Sequence, residues 1–171
     1  MSGAGMSKIN RLGWLAYAAA ALVIVADQVS KAWILGPFDL PTKISVDILP
    51  VLRLTMVWNH GVSFGLLGGH GDVGRWALVI FETGVAIALA FWARRGERPV
   101  LALALGLVMG GALGNVIDRA RFGAVTDFID VTPLHFPWVF NLADSAINIG
   151  VALLLWDALT TSKPAATTTP S

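Results

Sequence analysis

The stretch "VLALALGLVMGGALGNVIDR", residues 100–119, decides what kind of molecule this is. From Val100 to Val116 it carries no charge, and its length falls within the roughly 17–25 residues that cross a hydrocarbon layer about 30 Å thick. Inside it Ala102, Gly106, Gly110, Gly114 and Asp118 recur every four residues, a stripe of small side chains ending in a carboxylate. Small residues on one helix face let a neighbouring helix approach closely. Gly111, Asn115 and Arg119 run beside the stripe at the same spacing. Such a helix packs tightly and delivers Asn115, Asp118 and Arg119 to one membrane face.

The rest of the chain fits this reading. Of 171 residues, 56% are hydrophobic and only 13% charged, about half the charge expected of a soluble domain. The deficit is concentrated in four apolar stretches, approximately 12–35, 76–93, 100–116 and 140–159. The expected fold is a mainly α membrane protein, a four-transmembrane-helix bundle. Trp14 and Trp33, Trp76 and Trp92, and Trp138 and Trp156 mark span ends, as interfacial anchors do. Lys8 and Arg11 precede the first span, Arg94, Arg95 and Arg98 follow the second, and Lys163 follows the fourth. By the positive-inside rule both termini and the 94–98 loop are cytoplasmic, and segments 36–75 and 117–139 face outward. Residues 1–163 are expected to form a single integral membrane domain in the phospholipid bilayer, and the Thr- and Pro-rich 164–171 a disordered tail. A cleaved leader over the first span is the less favoured alternative.

Between the first two spans lies a segment of different character, approximately 36–70. Its "KISVDILPVLRLTMVWN" (43–59) is rich in β-branched residues and broken by Pro50, and predicts one or two short strands. A small extramembrane β element between helices 1 and 2 is expected.

Composition also closes off several functions. No cysteine is present, which excludes disulfides, thiol catalysis and thiolate metal sites. Three isolated histidines without an H-E-x-x-H helix predict no metal site, and no cofactor is expected. A net charge of +1 without a basic cluster gives no footprint for nucleic acid. "NHGVSFG" (59–65) matches G-x-S-x-G at Gly61, Ser63 and Gly65. That motif needs a strand–turn–helix setting in an α/β chain, and His60, His70 and His135 offer Ser63 no positioned base. Ser63 is read as a coincidence.

Polar residues at membrane depth are more informative, because a charge there costs about 2.5–3.5 kcal/mol on insertion scales. "FNLADSAINIG" (140–150) opens the fourth span and places Asn141, Asp144, Ser145 and Asn148 on one helical face. Asp127 and Asp130 lie just beyond the third span. Asp27 and Lys31, at i and i+4, read first as an interfacial ion pair, and Asp118 with Arg119 as a second self-neutralising pair. Glu82, inside the second span, requires a partner the sequence does not name. Two aspartates held together share a proton, so that one activates water while the other polarises a carbonyl. Intramembrane acids equally suit a small proton-coupled membrane transporter. Residue chemistry alone leaves peptidase and transporter level.

Five blocks in order carry a resemblance: "DQVSK" (27–31), "NHGVSFG" (59–65), "GGALGNVIDR" (110–119), "GAVTDFID" (123–130) and "FNLADS" (140–145). Together the set resembles the lipoprotein signal peptidase family, signal peptidase II. The resemblance implies a monomeric aspartyl endopeptidase of the bacterial inner membrane with its active site on the periplasmic side. It would cleave diacylglyceryl-modified prolipoproteins just before the lipid-modified cysteine. The family's catalytic aspartates fall on Asp127 and Asp144. Its substrate-site residues match Asp27, Lys31, Asn59, Gly61, Asn115, Arg119 and Asn141. The 36–70 segment would be its periplasmic β-cradle. An alanine is common in that family where this chain has Ser63, and position 60 varies.

Overall fold

The computed structural model describes residues 8–61 and 71–161. Ser63, most of the G-x-S-x-G stretch and the 164–171 tail lie outside the described residues.

Four long helices, each long and apolar enough to cross a membrane, form the bundle: α1 (Arg11–Leu35), α3 (Gly71–Ala93), α4 (Pro99–Phe122) and α5 (Leu142–Thr161). A one-turn helix α2 (Leu40–Lys43) follows α1. Asn10 caps α1, its side-chain oxygen accepting from the Gly13 amide at 2.7 Å while its Nδ2 donates to the Gly96 carbonyl at 2.8 Å. Pro99 opens α4, where a missing N–H does no harm, and Gly123 closes it at φ +83. Two helices exceed their apolar stretches. α3 begins at Gly71 rather than Trp76, and α4 continues through Phe122 rather than ending at Val116. The extra turns are polar, so hydropathy alone does not show them.

α4 is the centre of the bundle: 61% of its apolar window is buried, against 11–22% for the other three helices. Its small stripe explains why. A Cβ at Gly106 would collide with the Ala16 carbonyl of α1, and one at Gly110 would lie 2.7 Å from the Ala20 carbonyl. Gly111 presses in the same way on the Ala143 carbonyl of α5. Backbone therefore meets backbone along both seams. The six span-end tryptophans are 48–64% exposed, so they are lipid- or interface-facing rather than buried between helices.

The β element is a four-stranded antiparallel sheet in the order β1 (Ser45–Leu49), β2 (Leu52–Asn59), β3 (Val125–Asp130), β4 (Val139–Phe140). Among the described residues, β1 and β2 come from the segment between the first two spans. The sequence expectation confined the element to 36–70; its other half is contributed by the chain between α4 and α5. Val57 pairs with Asp127 and Ile129 with Phe140. The inner face packs Phe128 with Ile34 and Leu40, and with Val46, Leu54, Met56 and Leu142 around them. The sheet is thereby seated on the ends of α1 and α5, and β3 holds its residues against the mouth of the bundle.

Candidate active site

Asp127 and Asp144 reach the same place from different elements. β2–β3 pairing fixes Asp127 opposite Val57, with its side chain buried. Asp144 stands in the first turn of α5 and is half-buried. One residue joins them. Asn141 Nδ2 donates to Asp127 Oδ1 at 2.7 Å, and Asn141 Oδ1 accepts from the Asp144 amide at 2.9 Å. The Asn141 amide returns a 3.3 Å bond to Asp144 Oδ2, completing a reciprocal cap of the helix start. The local need to cap α5 and the need to station two carboxylates are met by the same side chain.

Two further asparagines complete the ring. Asn59, at the end of β2, donates to Asp127 Oδ2 at 2.9 Å. Asn115 on α4 donates to Asp144 Oδ1 at 2.8 Å, and its own oxygen accepts from Asn141 Nδ2 at 3.2 Å. All four carboxylate oxygens thus receive a protein donor. Burial nevertheless pushes the Asp127 carboxyl up to about 6; the Asn59 and Asn141 bonds pull it down, and the charge of Asp144 pushes it further up.

Behind this ring lies a charged scaffold. Lys31 bridges Asp27 at 2.8 Å and Asp118 at 3.0 Å, all three essentially inaccessible, and reaches Asn115 Oδ1 at 3.4 Å. Asp27 also accepts from the Ala143 amide at 3.1 Å, and Asp118 from the Thr126 amide at 2.9 Å. One carboxylate therefore fixes the start of α5 and the other fixes β3 next to Asp127. Gln28 Nε2 ties Asp27, Asp118 and the Gly114 carbonyl together. Gln28 was not among the residues picked from sequence, although its place in "DQVSK" beside two charges was the available signal.

Arg119 does not neutralise its neighbour Asp118. Its Nη1 binds both oxygens of Glu82 at 2.9 Å, which supplies the partner that Glu82 lacked in the sequence. Gly61, at φ +74, comes close to this guanidinium; a Cβ there would lie 3.1 Å from Nη2.

Two cavities reach these carboxylates, one touching both and the other Asp127 alone. One, of about 660 Å³, is lined by Asn59, Asp127, Asp144 and Ser145, by Phe136 and Trp138, and by Ile147, Asn148 and Ile149 along α5. The other, of about 480 Å³, is lined by Val57, Asn59 and Gly61, by Asp127 of β3, and by Pro137 and Val139. Asp118 lines neither. Of the residues singled out in the sequence, Asn59, Asn115, Asn141, Asp127 and Asp144 form one hydrogen-bonded cluster. Asp27 and Lys31 stand behind it, Arg119 and Gly61 beside it. Phe136 and Trp138 were singled out by no motif for this site.

A family model described as signal peptidase (SPase) II matches residues 19–160. A lipoprotein signal peptidase of Caulobacter vibrioides is 54% identical over 88% of this chain and 89% of its own length. One from Rhodopseudomonas palustris is 42% identical over 87% and 92%. A bacterial membrane enzyme solved by the in meso method superposes with a TM-score of 0.75 at 31% identity, covering 96% of this chain and 99% of that one. The family model and these relatives cover most of its length, and the chain belongs to the signal peptidase II family, the lipoprotein-processing peptidases of the bacterial membrane.

Proposed function

We propose that the protein removes signal peptides from diacylglyceryl-modified prolipoproteins, cleaving just before the modified cysteine with Asp127 and Asp144 as the catalytic pair. The observation that carries this reading is the Asn141 bridge, which holds two carboxylates from separate elements at the mouth of one cavity. Asp127, whose carboxyl is raised, holds the shared proton and donates it to the scissile carbonyl oxygen. Asp144 takes a proton from water as the water oxygen bonds to the carbonyl carbon. That proton then passes to the leaving amide nitrogen as the C–N bond breaks, and the oxygen protonated first returns its proton to Asp127 as the C=O bond re-forms, giving a free acid, the amino terminus of the lipid-modified cysteine and the pair in its starting state. Asn59 and Arg119 orient the substrate backbone, Asn141 holds the two carboxylates in place, and Asp27 with Lys31 positions the ring from behind.

The same reading makes residues 1–163 one membrane domain acting as a monomer, with both termini cytoplasmic and the dyad on the periplasmic side. The sheet would rest on that surface as a cradle for the extended cleavage segment.

Incubation of the purified protein with a lipid-modified precursor, read as a gel shift, tests this directly. Asp127→Asn and Asp144→Asn are each expected to abolish cleavage while the protein still inserts and folds. Loss of turnover in a folded Asp118→Asn variant, with Asp127→Asn active, would transfer the role to Asp118. Proton-driven solute flux with no proteolysis would favour a transporter.

A further inference from the structure

Asn148 is a polar side chain of α5 that the dyad scaffold leaves unused. Asn141 and Asp144 are bound into the ring, and Ser145 donates to the Asn141 carbonyl at 3.0 Å. Asn148 is exposed, within a helix long and apolar enough to span the membrane, and makes no hydrogen bond among the described residues. It lines the same cavity as Asp127 and Asp144, between Ile147 and Ile149. A primary amide left in hydrocarbon without a partner costs a few kcal/mol. A polar group at such depth is by default a functional one.

The amide presents a donor and an acceptor together, the complement of a peptide group. Hydrocarbon supplies neither, and a lipid ester supplies acceptors alone. A polypeptide drawn out for cleavage does bring unpaired N–H and C=O groups into the membrane. Four residues of α-helix at 1.5 Å each place Asn148 about 6 Å deeper than Asp144. An extended peptide covers that distance in about two residues at roughly 3.3 Å each.

Resting on the proposed peptidase reading, we propose that Asn148 is a substrate-binding residue that pairs with the signal-peptide backbone about two residues before the scissile bond. It holds that segment extended along α5 so that the scissile carbonyl arrives at the dyad. The interaction is made equally in ground and transition states, so its removal raises KM and leaves kcat nearly unchanged.

The test compares the wild type with Asn148→Leu and Asn148→Ala on three lipid-modified precursors. One is all-amide, one carries an ester in place of the amide two residues before the scissile bond, and one carries ether-linked lipid chains without ester carbonyls. Leucine suits a lipid-facing helix position and alanine adds nothing to clash, so both variants are expected to melt with the wild type. The wild type should lose about three- to tenfold in kcat/KM on the backbone-ester precursor, through KM. The variants should start lower by that factor and lose nothing more. Equal losses in wild type and variants, or variants cleaving the all-amide precursor normally, would overturn the proposal. So would variants made indifferent to the ether lipid instead, which would make the lipid ester the partner. Failure of the peptidase reading itself shows differently, as no wild-type cleavage of the all-amide precursor.

Discussion

Arg119 Nη1 lies 2.9 Å from both carboxylate oxygens of Glu82, locking α4 to α3. α3 has few other polar ties to the bundle among the described residues: the Tyr17 hydroxyl donates to the Ala90 carbonyl at 2.9 Å, and Arg75 caps α4 through the Arg119 and Ala120 carbonyls. Glu82→Gln keeps the shape and removes the charge facing a buried guanidinium. Thermal unfolding in detergent should show a loss of about 1–3 kcal/mol. An unchanged melt would mean that the pair contributes nothing to holding α3.

Asp127 gives a pH signature. Its folded-state value, about 6, is raised above the ordinary 3.8, so the folded protein holds this proton more tightly than the unfolded chain does. Stability from this group is fully present below about pH 4 and lost as pH rises through 6. Asp127→Asn removes the titration together with one acceptor of the Asn59 and Asn141 bonds. The variant's melting temperature relative to wild type should therefore climb between pH 4 and pH 7. A flat difference across that window would contradict the raised carboxyl.

Asp130, three residues on, behaves oppositely. Burial pushes its carboxyl up, but Thr132, which donates its amide at 2.9 Å, and Thr55, which donates its hydroxyl at 2.6 Å, outweigh that and hold it below the ordinary 3.8. Its stabilisation is present above about pH 4 and fades as pH falls through its lowered value. Asp130→Asn should destabilise the sheet at neutral pH, with the deficit shrinking in acid. A deficit that grows in acid would reverse the assignment.

Two glycines make a matched pair. A Cβ on Gly111 would meet the Ala143 carbonyl and lie 2.7 Å from Ile147 Cγ1, whereas one on Gly84 of α3 meets nothing within 4 Å. Gly111→Ala should push α5 outward, costing about 1–3 kcal/mol and displacing Asp144 enough to lower kcat. Gly84→Ala should stabilise by up to about 1 kcal/mol through helix propensity alone. Similar melts for the two variants would contradict close packing along the α4–α5 seam.

What the sequence made legible follows the range of each interaction. The α4 stripe and the polar face of α5 were readable because helical periodicity is local. Asn141 and Asp144 lie three positions apart, and their reciprocal cap is a local event. Glu82 and Arg119 sit 37 positions apart, and nothing in either neighbourhood names the other. The same limit hid half of the sheet: "VTDFID" becomes a strand by pairing with β2, 68 positions away at the Asn59–Asp127 bond. The extra turns of α3 and α4 escape hydropathy because they are polar: Asp118, Arg119 and Arg75 bind across the helices, while Asp72 is exposed and pairs with Arg75 on its own helix. Adjacency in sequence makes Asp118 and Arg119 a natural pair, but neighbours at i and i+1 on a helix do not face each other, and helical geometry sends them to Lys31 and Glu82.

The Glu82–Arg119 pair also bears on how the chain is made. Within α1, Asp27 and Lys31 cancel each other at i and i+4, so this helix enters a bilayer without an uncompensated mid-span charge. α3 taken singly carries Glu82 with no such countercharge, and its cation arrives only on the next helix. Residues 94–98 are all that separate the two helices. The α3–α4 hairpin is thus the smallest part of this region that reaches the lipid with Glu82 compensated, and biogenesis is expected to deliver those two helices together rather than one at a time.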